Sequence, residues 1–224
     1  MSQTSPLDYF SLRHPLRRAA SLVSYSARKK MFAHFVRAID PSPKDRVVDV
    51  GVTPDRSLPE SNFFEHLYPY KAQLTATSIE DATFLESTFP GLTFVQTVGT
   101  TLPFADNEFD IVVCFAVLEH VGNRDAQRAF VRELLRIGRK LYLTTPNRGF
   151  PVELHTFLPF LHWLPQALHQ RVLRRLGLAF WAETANLNLL SRKELERFFP
   201  AEANVSITGH KLLGLTSNLI AIRP

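Results

Sequence analysis

The sequence contains a single cysteine, which limits the covalent links that the chain can form. Cys114 lies in the apolar run from Phe109 to Phe115, and one thiol cannot form a disulfide within a chain. We therefore expect a small buried side chain and a reducing, cytoplasmic compartment. At 224 residues and 45% hydrophobic composition, the chain has the size of one domain with a large core.

Long apolar stretches are also missing. No run reaches the roughly 20 consecutive apolar residues of a membrane-spanning helix, and the basic first thirty residues lack the apolar core and cleavage site of a secretory signal. We therefore expect no transmembrane segment and no secretion. The formal net charge of +5 favours anionic partners, but the charges are spread along the chain and decide nothing alone.

Several enzyme motifs are absent. The loop from Asp49 to Asp55 has one glycine and not the G-x-G-x-x-G of nicotinamide-dependent dehydrogenases, which disfavours that class. No His, Cys and carboxylate residues have the sequence spacing of a zinc site, so we predict no metal. The sequence also lacks a basic stripe interleaved with aromatic residues, which argues against a nucleic-acid substrate.

The sequence does contain short apolar runs that alternate with helical patterns. The strand-like runs are 46–51, 73–79, 92–96, 109–115 and 140–145, and the helical patterns are 62–67, 82–89 and 124–137. Two further runs, 204–210 and 217–222, predict a final hairpin. We therefore predict an α/β fold with a doubly wound, mostly parallel, seven-stranded sheet and an antiparallel C-terminal hairpin.

Local signals predict the boundaries of helices and domains. Apolar residues at helical spacing, which are Leu22, Val23, Phe32, Phe35, Val36 and Ile39, predict one or two N-terminal amphipathic helices. We predict a helical segment over 1–40 and a main domain over 41–224, with the aromatic-rich insertion 147–190 as a substrate lid. Gly138 predicts a helix C-cap, and Ser191 with Glu194 predicts a capping box.

The most specific pattern lies between Leu102 and Val121. It reads Leu102-Pro103-Phe104, a polar turn, Phe109-Asp110, an apolar strand and then Leu118-Glu119-His120. This arrangement resembles class I methyltransferases of the small-molecule type, and the resemblance covers about residues 45–148. It implies a domain that binds S-adenosylmethionine and methylates O or N of a small-molecule, saccharide or lipid-linked acceptor.

The resemblance also implies a set of cofactor-binding positions. They are Asp49, Gly51, Val52, Thr53, Ser78, Ile79, Glu80, Gly99, Thr100, Leu102 and Phe115. Two departures stand out: the first loop retains only Gly51, and Ser78 occupies the place of an acid that usually binds the ribose hydroxyls, so we predict Glu80 as its substitute. Residues 59–64 are predicted to compensate as a polar segment. A scaffold that has lost catalysis is the alternative function.

Three residues are candidates for proton transfer. His120 follows the fourth predicted strand, where the methyl group would lie, and histidine is the usual base near neutral pH. Glu153 and His155 lie in the insertion and could face the acceptor. For each of the three, a purely structural role in a loop or on the lid surface remains open.

Two further features suggest contact with an anionic membrane surface. The N-terminal segment is basic at Arg17, Arg18, Arg28, Lys29 and Lys30, and the insertion is rich in aromatic residues from Phe157 to Leu168. In the alternative interpretation, the N-terminal helix covers the sheet edge with its charges in water, and the insertion packs on the sheet. Oligomeric state is not predicted.

Overall fold

A computed structural model describes residues 15–58, 60–97 and 100–224, with the backbone alone over 15–20. The strands are β1 Val47–Val50, β2 Leu74–Ser78, β3 Thr93–Gln96, β4 Phe109–Phe115, β5 Gly138–Pro146, β6 Ser206–Leu212 and β7 Leu215–Arg223. The helices are α1 Pro15–Ile39, α2 Phe63–Leu67, α3 Phe84–Thr88, α4 Arg124–Ile137, α5 Gln166–Arg175 and α6 Arg192–Glu196.

The strands form one seven-stranded sheet in the order β3-β2-β1-β4-β5-β7-β6. The first five strands are parallel, and β7 runs antiparallel to both β5 and β6. This arrangement confirms the predicted fold. The chain moves outward from β1 to β3 and then crosses to β4 on the other side of β1, so the order reverses between β1 and β4. In open α/β sheets, ligands bind at the carboxyl ends of the strands beside this reversal.

Both faces of the sheet are covered, as the continuous apolar runs of β1 and β4 require. Val47 and Val48 on β1, which point to opposite faces, are fully buried in two separate clusters. The first cluster includes side chains of α1, α2 and α3, and the second includes side chains of α4 and α6. Cys114 is fully buried in the second cluster, which confirms its predicted environment.

The N-terminal pattern forms one helix, α1, which packs on the first face of the sheet. Met31, Phe35 and Ile39 are buried at four-residue spacing, and the hydroxyl of Tyr142 on β5 donates to the Met31 carbonyl at 3.0 Å. The predicted apolar stripe was partly wrong, because Leu22, Val23 and Val36 are exposed. None of the described helices is both long enough and apolar enough to span a bilayer.

Gly138 is the C-cap residue of α4, as predicted, but its geometry is not that of a typical glycine cap. Helix α4 begins at the N-cap Asn123, whose side chain accepts from two backbone amides, and it passes directly into β5. Gly138 has extended angles, φ −131° and ψ 154°, so it has none of the left-handed geometry of a glycine cap. A Cβ there would lie 2.2 Å from Cγ2 of Val112. Gly138 is therefore a close-packing residue. The capping box of Ser191 and Glu194 is confirmed.

The insertion folds back over the carboxyl end of β4. It contains α5 and two 3-10 turns, Leu161–Trp163 and Ala179–Ala182. Asn147 and Leu190 form an isolated bridge at its base, and the Asn188 amide donates to the Glu119 carbonyl at 2.8 Å. We call residues 147–190 the lid.

We predict that Gly138→Ala destabilises the protein through contact with Val112. Overpacking of a buried site costs about 1–3 kcal/mol, and urea unfolding should show this loss at an unchanged slope. The loss should be smaller in a Val112→Ala background, because the clash is relieved there. Equal losses in both backgrounds would contradict the assignment.

Candidate functional site

The loop after β1 meets the loop after β4 at the predicted ligand edge. Gly51 has φ +103°, and a Cβ there would lie 2.2 Å from Cγ2 of Val117. The amides of Gly51 and Val52 both donate to the Thr77 carbonyl, at 2.7 and 3.2 Å. A residue without a side chain is therefore required at this one position.

The polar segment that precedes α2 holds the loop from the other side. The Asn62 side chain accepts from the Thr53 amide at 2.9 Å and donates to the Thr53 carbonyl at 2.8 Å. The Ser61 hydroxyl donates to Asp55 at 3.1 Å. These side chains supply the order that a glycine-rich turn would otherwise provide, which supports the predicted compensating role. Pro59 lies outside the described residues.

Two acidic side chains are buried below this loop. Asp49 on β1 is 6% exposed, and Glu65 on α2 is fully buried. Burial, and then the adjacent negative charge of Glu65, raises the pKa of Asp49 well above its usual value. Burial also raises the pKa of Glu65. Like charges in one buried site cannot both ionise readily, so the pair favours a bound proton or a cation.

Arg28 is a site residue that the sequence analysis misplaced. Its guanidinium lies 5.2 Å from the centre of the Phe63 ring and close to the carboxyl groups of Glu60, Glu119 and Asp49. Burial lowers the pKa of Arg28, and those carboxyl groups oppose the shift. The predicted membrane-facing position of Arg28 was therefore wrong.

The reason lies in the helical repeat of α1. Arg28 comes seven residues before the fully buried Phe35, so the two side chains lie on the same face of the helix. The Ser21 hydroxyl donates to Glu60 at 2.5 Å, so the N-terminal half of α1 also contacts this edge of the sheet. The seven-residue spacing between Arg28 and Phe35 was the sequence signal that could have placed Arg28 on the buried face of α1. The side chains of Arg17 and Arg18 lie outside the described part of the chain.

The carboxyl end of β2 presents three of the predicted cofactor-binding residues. Ser78 is buried, and its hydroxyl accepts from the Glu80 amide at 3.2 Å. Glu80 is exposed, and Ile79 is 64% exposed. An exposed apolar side chain beside a carboxylate is suited to a nucleoside.

Two other predicted cofactor-binding residues, Leu102 and Phe115, are buried. Leu102 is buried in the second core cluster. Phe115 is 9% exposed and packs edge-on against Phe63, with ring centres 4.8 Å apart. Thr100 is half-buried, and Gly99 lies outside the described residues.

The lid brings Glu153 and His155 close to His120, the third candidate for proton transfer. The ring centres of His120 and His155 are 5.0 Å apart, and that of Trp181 is 5.1 Å from His155 and 6.4 Å from His120. His120 Nδ1 lies 2.6 Å from the Asn186 carbonyl, and His155 Nδ1 lies 2.6 Å from Oε1 of Glu153. Since these oxygens only accept, each Nδ1 must donate, and each neutral ring keeps its lone pair on Nε2.

Glu153 controls the ionisation of His155. Burial acts to raise the pKa of Glu153, but hydrogen bonds from His155 and Thr156 outweigh it and lower the pKa to about 2. Burial acts to lower the pKa of His155, and the hydrogen bond and negative charge of Glu153 raise it overall. Glu153 therefore stabilises a protonated His155, as a base requires after it has accepted a proton.

Glu119 completes the cluster below the two imidazoles. Its Oε2 accepts from the Thr145 hydroxyl at 3.0 Å, and Oε1, which has no hydrogen-bond partner in the described residues, lies 3.9 Å from His120 Nε2. Donor atoms of Glu119, His120 and His155 lie within 4.8 Å of one another. This grouping was invisible in the sequence spacing because His155 comes from the lid. The positive charge of Arg28 partly opposes the rise in the pKa of His155, and it would also disfavour a second cation there.

Residues 59–141 match the family described as "Methyltransferase domain". The match covers little more than a third of the chain, and over this segment the chain is similar to class I S-adenosylmethionine-dependent methyltransferases. A ubiquinone biosynthesis O-methyltransferase from Coxiella burnetii is 33% identical over 87 residues, which are 37% of this chain and 37% of that relative. The chain therefore spans little more than a third of the length of the curated relatives that it matches.

Solved structures show the same fold. The match with the magnesium protoporphyrin IX methyltransferase of Synechocystis PCC 6803 covers 96% of this chain and 91% of that protein's chain, with a TM-score of 0.59 at 14% identity. The N-methyltransferase NodS of Bradyrhizobium japonicum matches 87% and 93%, with a TM-score of 0.52 at 12% identity. The matched family segment contains Glu65 and His120, whereas Arg28, Asp49 and the lid lie outside it.

We predict that Glu65→Gln makes stability less dependent on pH. The raised pKa values of Asp49 and Glu65 mean that the folded state holds protons that the unfolded state releases. Their stabilising contribution is full at low pH and is lost as pH rises through the raised values. Urea unfolding from about pH 5 to about pH 8 should show a smaller loss in the variant than in the wild type.

The exposed Glu202 provides a matched control. Glu202→Gln should leave the pH dependence of the wild type unchanged, since its carboxylate is in water in both states. An identical pH dependence in Glu65→Gln and the wild type would show that the buried pair does not store protons.

Proposed function

We propose that this protein transfers the methyl group of S-adenosylmethionine to a hydroxyl oxygen of a small aromatic acceptor. The observation that carries the proposal is the His155–Glu153 pair, which the lid places against His120 beside the Arg28 and Asp49 edge. The O-methyltransferase relative supports an oxygen acceptor.

The residues at the sheet edge fit the two charges of the cofactor's amino-acid end. The buried Asp49 would accept hydrogen bonds from the ammonium group, and Arg28 would donate to the carboxylate. Ile79 offers an apolar surface for the adenine, and Glu80 with Ser78 offers oxygens for the ribose hydroxyls. When bound, S-adenosylmethionine supplies an electrophilic methyl group that an oxygen nucleophile takes up as it loses its proton.

The chain's part is to position the acceptor and to accept this proton. The Nε2 lone pair of His155 would receive it, and Glu153 would stabilise the resulting imidazolium through Nδ1. His120, held by the Asn186 carbonyl, presents a second Nε2 to the same site. The lid shields Glu153 and most of His155 from water, which strengthens the electrostatic interaction between them.

The lid side chains favour a flat, partly apolar acceptor. Trp181 and the two imidazoles form one cluster of rings, and a flat aromatic acceptor would pack well against this cluster. Saccharide or lipid-linked acceptors would need the hydroxyl to reach the same His155 Nε2. A binding scaffold without catalysis is the second candidate, because Ser78 replaces the usual acid.

We predict that Arg28→Met weakens binding of S-adenosylhomocysteine about 10-fold to 100-fold, the usual range for a lost charged hydrogen bond. Binding of 5′-methylthioadenosine, which has no carboxylate, should change far less. Titration calorimetry measures both affinities. Lys29→Met, a change at the exposed neighbouring cation, should alter neither.

Equal weakening of both ligands by Arg28→Met would show that Arg28 supports the fold of the site and not the carboxylate. Absence of binding by folded wild-type protein at millimolar ligand would contradict the proposed function itself.

We predict that methyl transfer to a phenol such as catechol rises with pH through the pKa of His155. That pKa is raised above 6.5 by Glu153, and only the neutral imidazole can accept a proton, so the rise should occur above this value. Glu153→Gln should shift the rise to lower pH. NMR titration of the His155 ring should show the same shift without any acceptor.

His155→Ala should lower turnover roughly 100-fold or more while the affinity for S-adenosylhomocysteine stays nearly unchanged. A chelator such as EDTA should have no effect on the rate, because in this proposal Glu119, His120 and His155 do not bind a metal ion. Full activity of both His155→Ala and His120→Ala would contradict the proton-transfer roles.

A further inference from the structure

The lid carries several large apolar side chains that are exposed to solvent. They are Phe157, Phe160, Trp163, Leu168, Leu176 and Phe180, each between 42% and 55% exposed. We call this set, together with Arg171 and Arg175, the lid surface. Single exposed apolar residues are normal, but a group of this kind marks a surface that contacts a partner or a membrane.

The charge of this segment has one sign. Between Glu153 and Glu183 the chain contains three arginines and no acidic residue. Arg174 pairs with Glu183 at 3.0 Å. Leu168, Arg171 and Arg175 are exposed and lie at three- and four-residue spacing on α5, opposite the fully buried Leu173. Apolar and basic groups therefore share one outward face.

Ordered backbone holds the aromatic rings outward. Phe157 and Phe160 have φ of +57° and +59°. This left-handed conformation destabilises the folded state when a residue other than glycine adopts it. Their amides donate to the Glu153 and Pro151 carbonyls, each at 2.8 Å, and Trp163 Nε1 donates to the Arg148 carbonyl at 2.9 Å. The exposure of these rings is thus built into the lid and is not the result of a loose loop.

We propose that the lid surface docks on an anionic lipid bilayer. Aromatic and leucine side chains enter the headgroup region of a bilayer, and arginines beside them bind lipid phosphates. A purely apolar surface would fit a second copy or a protein partner equally well, and the exclusively basic charge is what favours the anionic bilayer. The contact is peripheral and involves one face of α5 with the two turns that flank it.

Docking in this orientation would place the acceptor site next to the lipid. His155 and Trp181 belong to the same lid, where His155 is two residues before Phe157 and Trp181 directly follows Phe180. An acceptor that is dissolved in or attached to lipid would then reach the proposed proton acceptor without crossing water. This second part rests on the proposed function, whereas docking itself does not.

Vesicle flotation with the full chain tests the docking. Phosphatidylcholine vesicles with and without phosphatidylglycerol, at low and high salt, separate charge from apolar insertion. We expect flotation with the anionic vesicles at low salt and at least a ten-fold weaker partition for Phe160→Ser/Trp163→Ser and for Arg171→Glu/Arg175→Glu. The exposed β6–β7 hairpin supplies the control, Lys211→Glu/Leu213→Ser, which should float as the wild type does.

Three results would overturn the proposal. The folded wild type could stay with the soluble fraction on anionic vesicles at low salt. The hairpin control could lose as much binding as the lid variants, or Lys29→Glu/Lys30→Glu on α1 could abolish binding while the lid variants keep it. Concentration-dependent dimerisation that only the lid variants abolish, without vesicle binding, would identify a second copy as the occupant.

Circular dichroism and S-adenosylhomocysteine affinity confirm that each variant is folded, so failure of docking is separable from failure of the proposed function.

Discussion

The charge balance at the carboxyl edge of β1 and β4 depends on the guanidinium of Arg28. Asp49, Glu60 and Glu119 are buried and their charges act on Arg28, and removing one partner of a buried charge cluster costs several kcal/mol. Arg28 supplies the opposing positive charge from α1. The same side chain orders the edge of the sheet and gives the proposed cofactor site its binding partner for an anion.

This balance also explains how the lid takes part. The lid adds Glu153 and His155 as a second, separate pair, in which the carboxylate is strongly ionised and the imidazole readily protonated. The pKa values of the two carboxyl groups are therefore shifted in opposite directions. Asp49 favours a bound proton or cation, and Glu153 stays charged. Such a separation of pKa values is typical of sites that bind one charged group and move a proton on another.

The sequence was most informative where structure is local. Helix α4 was predicted with its observed bounds because one apolar stripe and short loops define it, and β4 was predicted because its apolar run is continuous. Gly138 was correctly predicted as the C-cap position, but its close packing was not predicted, because only the position of Val112 in the fold shows it. Arg28 and the approach of His155 to His120 depend on how α1 and the lid cross the sheet edge, which no local pattern encodes. The roles of the proposed site residues stay predictions.

A crystal structure with S-adenosylhomocysteine tests the central claim most directly, namely that Arg28 and Asp49 hold the amino-acid end of the cofactor at the β1 and β4 edge. The account predicts the ligand carboxylate at the Arg28 guanidinium, the ammonium at Asp49 and the sulfur facing His120 and His155. A ligand whose amino-acid end lies away from Arg28, or whose sulfur faces away from the lid, would contradict it.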